Sequence, residues 1–157
     1  MSWPEPSESN EYLACHIKLL RSSLRRWTGR DMVDPALNGA EAAKEVSYSP
    51  IAVVSHGTEA DPVFNYGNRA ALELFEMTWD EFTRLPSRQS AESVSQEGRN
   101  RLLAEVAENG FIDHYSGVRI SKSGRRFIFE SAIVWNILDE RGVHHGQAAM
   151  FKHWLYL

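Results

Sequence analysis

The chain has 157 residues, of which 43% are hydrophobic and 24% are charged, and its formal net charge at pH 7 is −4. A chain of this length buries about 70% of its unfolded surface, enough for one core without a metal or a disulfide. The negative charge gives no general attraction to phosphate backbones or anionic lipids, so neither nucleic acid nor membrane is expected as a partner.

The N-terminal sequence, MSWPEPSESNEY, has no basic stretch followed by an apolar one, and no secretory leader is predicted. No apolar run approaches the roughly 18 residues of a membrane span. Cys15 is the only cysteine, which excludes an internal disulfide and fits a reducing compartment. We therefore expect a cytoplasmic protein whose residues 1–9 form a flexible lead.

An amphipathic helix is predicted over residues 11–27, within a helical extension that covers residues 10–46. Its stripe of two heptads is shorter than a coiled coil requires. The stripe either docks on the chain's own domain or forms the contact of a homodimer, and both interpretations stay open. The predicted dimer contact consists of the apolar residues spaced alternately four and three apart, which are Leu13, Ile17, Leu20, Leu24 and Trp27.

Residues 47–157 are predicted to form one α+β domain. Two short strands, over residues 51–55 and 63–66, precede a helix that Asn68 can cap. Thr78 begins a T-x-x-E capping box for a further helical turn, and Ser93 can cap a longer helix that ends before Asn109-Gly110.

The last third is predicted to be an antiparallel meander of three strands, over residues 111–121, 126–138 and 143–155. Strict alternation in the middle strand places Glu130 on the opposite side from the aromatic residues. A shift of one residue would exchange the two faces, so the register matters. The predicted aromatic face contains Phe127, Phe129, Ser131, Ile133, Trp135 and Ile137.

Two strands, a helical middle and a three-stranded meander resemble the PAS arrangement, as does the segment FNYGNRAALELFEMTWDEF. More closely, LPSRQSAE, SGVRISKSGRRF, VWNILDERG and GQAAMFKHW resemble the MEKHLA family, over nearly the whole chain from about residue 11. These PAS-related domains occur as small stand-alone bacterial proteins and at the C-terminus of plant class III homeodomain–leucine-zipper regulators. The resemblance implies an antiparallel sheet of about five strands, short helices on one face, an extra N-terminal helix, and a sensory or interaction role. The chain has no homeodomain or zipper, so transcription-factor activity is not implied.

PAS domains bind flavin, haem, small acids or nothing, and each group requires particular residues. The photoactive flavin type requires a cysteine in the helical middle, but Cys15 lies on the leading helix. A haem ligand would be a histidine there, and none lies between Gly57 and Asp113. His144 and His145 are adjacent on a strand and point to opposite faces, so no metal site is predicted. We expect no cofactor.

A small-molecule pocket is predicted where the aromatic face meets the helical middle. The same stripe would also serve as plain core, and that interpretation stays open. The candidate pocket residues are Trp79, Phe82, Arg88, Tyr115, Arg119, Phe127, Phe129, Ser131 and Trp135.

Two function classes remain. One is a sensory or regulatory module that binds a small apolar or amphipathic ligand or a partner protein; a purely structural dimeric adaptor is a weaker variant. The other is a small pocket enzyme of isomerase or hydrolase type with His114 or Glu130 as base. A base must face inward, and the predicted register turns Glu130 outward, so a non-enzymatic role is predicted.

Overall fold

The computed structural model describes residues 3–91 and 96–157. A 3-10 segment, Glu8–Leu13, leads into the first helix, and another, Ser87–Ser90, follows the fourth. The α-helices within the described residues are α1 (Ala14–Thr28), α2 (Gly39–Tyr48), α3 (Arg69–Phe75), α4 (Trp79–Phe82) and α5 (Gln96–Asn109).

One antiparallel sheet carries the fold. Its strands are β1 (Ala52–His56), β2 (Phe64–Gly67), β3 (Phe111–Ile120), β4 (Arg126–Leu138), β5 (His144–Phe151) and β6 (His153–Tyr156). Their spatial order is β2-β1-β5-β4-β3, and β6 pairs with β4. The α+β prediction is confirmed, but the described sheet has six strands rather than about five. The difference arises because the predicted last strand is interrupted between β5 and β6.

The predicted helix caps explain where the helical middle begins. The Asn68 side chain accepts a hydrogen bond from the Ala71 amide, and Thr78 and Glu81 form a complete capping box. Asn68 also accepts from the Val53 amide and so ties α3 to β1. Both predictions are confirmed, whereas the predicted cap at Ser93 lies outside the described residues.

Strand β4 does not keep the strict alternation that its sequence suggests. Ser131 has φ +55°, a left-handed conformation that adds a bulge and shifts the side-chain phase by one residue. Before the bulge, Phe127 and Phe129 pack with the helical middle; after it, Trp135 lies in the opposite cluster. The prediction of one continuous aromatic face is therefore wrong. Glu130 is exposed, as predicted.

Helix α1 covers the second face of the sheet. Ile17, Leu20 and Leu24 are at most 1% exposed and pack with Trp135 in one core cluster. Three of the five residues predicted for a dimer contact are thus buried within the chain itself, and that prediction is corrected for them. Leu13 and Trp27 are partly buried against the same cluster.

Hydrogen bonds fix α1 to β4 at three points along the helix. The indole Nε1 of Trp135 donates to the Leu20 carbonyl at 3.1 Å, and the Ser23 hydroxyl donates to the Leu138 carbonyl at 3.0 Å. The indole Nε1 of Trp27 donates to the backbone carbonyl of Asn136 at 2.9 Å. These bonds satisfy buried polar atoms and set the position of the helix along the strand.

Part of the segment expected to be a flexible lead makes defined contacts. The Trp3 carbonyl accepts a hydrogen bond from Trp79 Nε1 at 2.8 Å, and the Trp3 ring lies 4.6 Å from the His16 ring. The division into a lead, an extension over residues 10–46 and a domain over residues 47–157 stays a prediction.

Candidate functional site

A cavity of about 80 Å³ lies between the sheet and the helical middle. Its walls are mainly apolar and include an aromatic pair on the sheet, Phe129 and Phe151, whose ring centroids are 4.8 Å apart. Phe64 and Phe75 line the side nearest the helical middle, and Leu102 of α5 contributes to another wall. An apolar enclosure with a few polar side chains is the usual form of a small-molecule site.

Arg119 supplies the positive charge of the cavity. It is 9% exposed, and its guanidinium donates to the Val118 carbonyl at 2.9 Å and to the Tyr115 hydroxyl at 3.1 Å. The same group lies 5.0 Å from the centre of the Phe129 ring, within the range of a cation–π contact. No carboxylate within residues 3–91 and 96–157 forms an ion pair with it. The buried charge is therefore held by a carbonyl, a hydroxyl and a ring.

A chain of side-chain amides reaches the cavity from the helix α5 side. Asn136 Nδ2 donates to the Val106 carbonyl at 2.9 Å, and Asn136 Oδ1 accepts from Gln147 Nε2 at 3.1 Å. Gln147 lines the cavity, and its Oε1 atom is buried with no hydrogen-bond partner among the described residues. Ser87 and Ser90 add two more polar side chains to the lining.

The structure brings three of the nine predicted pocket residues to this cavity: Tyr115, Arg119 and Phe129. Phe82 and Phe127 lie in the adjoining aromatic cluster without lining the cavity. Phe82 stacks on Phe64 at 4.2 Å and therefore supports the wall from behind.

Four predicted pocket residues lie elsewhere. Trp79 and Trp135 belong to the cluster beneath α1, since the β4 bulge turns Trp135 to that face. Ser131 is exposed at the bulge itself. Arg88 is exposed and forms an ion pair with Asp61 at 3.0 Å. None of these four residues lines the cavity between the sheet and the helical middle.

Sequence reasoning missed Gln147, which reaches the cavity from β5. The segment GQAAMF alternates between the two faces, and that alternation was the available signal. It was weak because small alanines occupy positions where a large apolar residue would have marked the inner face. Strict alternation of β4 would likewise turn Asn136 away from the pocket side, whereas the phase shift at Ser131 turns it toward α5 and Gln147.

The opposite face of the sheet holds the most perturbed titratable groups. His16 is 8% exposed, and its Nε2 lies 2.9 Å from the Ser55 hydroxyl. Burial, with a smaller contribution from the nearby His145, lowers the pKa of His16 from 6.5 to about 4. Burial also raises the pKa of Tyr66. Both groups are neutral at pH 7, so neither adds a buried charge to this face.

No cluster of three or more histidine, cysteine, aspartate or glutamate side chains suited to a metal ion occurs in the described part of the chain. The two bases considered for an enzyme both lie at the protein surface. The His114 side chain is 84% exposed, and Glu130 is exposed on β4. Neither residue lines the cavity.

A photoactive flavin does not fit these residues. Cys15 is exposed on α1, at the opposite side of the sheet from the helical middle. The cavity of about 80 Å³ is also well below the ~300–1,000 Å³ of pockets that enclose larger ligands. Within the described residues no helix is both long and apolar enough to cross a bilayer.

Curated relatives of this chain include plant transcription factors. Homeobox-leucine zipper protein HOX29 of Oryza sativa subsp. indica is 28% identical over 129 residues, which are 80% of this chain and 15% of that protein. Homeobox-leucine zipper protein ATHB-14 of Arabidopsis thaliana is 29% identical over 103 residues, 64% of this chain and 12% of that protein. The chain therefore spans less than a fifth of these relatives.

Solved structures with similar folds include PAS domains and photoreceptors. The PAS domain of a protein from Colwellia psychrerythraea superposes with a TM-score of 0.62 at 15% identity, over 74% of this chain and 94% of that one. The light-state dimer of the fungal blue-light photoreceptor Vivid gives 0.58 at 14% identity, over 94% and 95%. At such identities the likeness establishes the fold alone.

The MEKHLA domain model matches residues 14–156, nearly the whole chain, and it includes α1 as well as the sheet. Together with the PAS-like sheet order and the helical middle, this match identifies the chain as a member of the MEKHLA domain family.

Proposed function

We propose that this chain is a non-enzymatic sensory or regulatory domain whose cavity takes up a small, mainly apolar ligand. The observation that carries the proposal is the cavity between Phe129, Phe151 and the helical middle, with Arg119 and Gln147 as its inward polar groups. A site built this way can select a molecule by shape and by one or two hydrogen bonds. Its occupancy would then stabilise the arrangement of helices around the sheet.

The positions of the two candidate bases argue against the enzyme alternative. General base catalysis needs the base within about 3 Å of the proton that it removes, or one water away. His114 and Glu130 are both exposed outside the cavity lining. The Arg119 guanidinium offers N–H donors and no acceptor, so it serves binding better than proton transfer.

The proposal also includes a cytoplasmic location and self-association. The free, exposed thiol of Cys15 supports a reducing compartment. A homodimer is supported by the dimeric state of Vivid, a structural neighbour, and not by the buried stripe of α1.

A thermal shift measurement with a panel of one- and two-ring fragments tests the binding role. Ligand at 100 times its Kd stabilises a protein by about 2.7 kcal/mol, which for a domain of this size is a rise in Tm of several degrees. We expect such a rise for wild type and none for Ala149→Leu, which fills the cavity. Ala40→Leu, on an exposed residue, is the matched control and should respond as wild type.

Two results would contradict the proposal: no fragment raises the wild-type Tm, or Ala149→Leu responds as fully as wild type. Recovery of a chemically altered fragment would favour the enzyme alternative. A domain that senses through a partner protein alone would also leave the fragment panel without effect.

A further inference from the structure

The orientation of the Gln147 amide is fixed by its neighbours. Asn136 must present its Nδ2 to the Val106 carbonyl, so its Oδ1 faces Gln147. Gln147 must then present Nε2 to that oxygen, because a flipped amide would set two carbonyl oxygens against each other. The remaining polar atom of the Gln147 side chain is therefore an acceptor, Oε1.

This acceptor is buried and unsatisfied within the described part of the chain. Gln147 is 8% exposed, and Oε1 has no donor within hydrogen-bond distance. A buried carbonyl without a donor costs free energy, and natural proteins rarely leave one unless a ligand or water completes it. Gln147 lines the cavity, so a molecule held there can supply the missing donor.

The shape of the cavity limits the size of that occupant. One water occupies roughly 10–15 Å³, so a cavity of about 80 Å³ has room for several waters or for a small system of one or two rings. The aromatic walls at Phe64, Phe129 and Phe151 favour a flat ring over a branched chain.

The charge of Arg119 limits the kind of donor. A protonated amine would place a second positive charge beside this buried guanidinium, which is unfavourable in a poorly hydrated site. The guanidinium already has a carbonyl, a hydroxyl and a ring as partners, so it does not require an anion. A neutral N–H or O–H donor meets both conditions.

Resting on the proposed binding role, we infer that the cavity selects flat, uncharged molecules of one or two rings that carry an N–H or O–H donor for Gln147 Oε1. The test compares indole with benzofuran, which has nearly the same shape but lacks the donor. Isothermal titration calorimetry should give wild type a Kd for indole at least about tenfold lower than for benzofuran. Gln147→Leu should abolish this preference, and Gln89→Leu, at an exposed glutamine, should keep it.

The ratio of the wild-type Kd values for benzofuran and indole tests the inference even where Gln147→Leu fails to fold. Equal wild-type affinities would overturn the inference while leaving the binding role intact, since water would then satisfy Oε1. A preference that survives in folded Gln147→Leu would also overturn it, because another acceptor would be responsible. Binding of neither compound at millimolar concentration would overturn the inference and count against the proposed function as well.

Discussion

Ser131 decides which side chains of β4 meet the cavity. Its left-handed φ of +55° adds one residue to the strand and divides the aromatic residues between two faces. Serine has no strong preference for this conformation, so the sequence gives no signal for the bulge. The helix caps at Asn68 and Thr78 could be predicted from the sequence. Each side chain accepts a hydrogen bond from the backbone amide three residues later, which is a local signal.

Trp135 should be one of the most costly residues to truncate. It is fully buried, contacts the α1 cluster and donates to the Leu20 carbonyl. We expect Trp135→Ala to lower the free energy of unfolding by ~3–5 kcal/mol in urea denaturation. Glu130→Ala, on the exposed side of the same strand, should change it by less than about 0.5 kcal/mol. The reverse order of effects would mean that the register of β4 is different.

His16 should make stability depend on pH. Its folded pKa, about 4, is below the unfolded value of 6.5, so the unfolded state binds the proton first as pH falls. Neutral His16 makes its full contribution to the free energy of unfolding above pH 6.5. That free energy falls by on the order of 3 kcal/mol as the pH drops from 6.5 to 4. Unfolding measured across this range should show a smaller decrease for His16→Gln than for wild type. Parallel curves for the two proteins would contradict the burial of a neutral imidazole.

At the scale of elements, the helices and strands were largely predictable and their packing was not. Strand β4 was predicted with its observed limits, 126–138, since alternation and turn residues are local signals. The interruption between β5 and β6 was not predictable, because it lies beside the β4 bulge: β5 pairs with β4 from residue 133 onward and β6 pairs with residues 127–130. The sequence therefore predicted a pocket beside the helical middle, but only three of the nine residues predicted for it line the cavity.

The bulge itself can be tested at Ser131. Glycine adopts positive φ without steric cost, whereas a β-branched residue does so poorly. We expect Ser131→Gly to keep or raise stability by up to about 1 kcal/mol, and Ser131→Val to lower it by about 1–2 kcal/mol. Chemical denaturation of the two variants gives the comparison. A strand without a bulge would show the opposite order, since valine favours regular strands and glycine weakens them.

On the scale of the whole molecule, α1 is part of the core and not a free interaction surface. The α1–β4 hydrogen bonds and the buried Leu20 attach the N-terminal helix firmly to strand β4 of the sheet. Leu20→Glu should therefore unfold the protein, because it buries an unpaired charge, instead of producing folded monomers. Circular dichroism together with light scattering separates these outcomes. A well-folded Leu20→Glu monomer beside a wild-type dimer would restore α1 as the dimer contact.

The most direct test of the account is to locate a bound fragment by two-dimensional ¹H–¹⁵N NMR. Titration with a one- or two-ring fragment should shift the amide signals of Tyr115, Arg119, Phe129 and Gln147 most strongly, because these residues line the cavity on the helical face of the sheet. Signals of α1, on the other face, should change little. Shifts concentrated at His16 and the rest of α1, or no shifts at saturating fragment, would contradict the claim that this cavity is the sensory site.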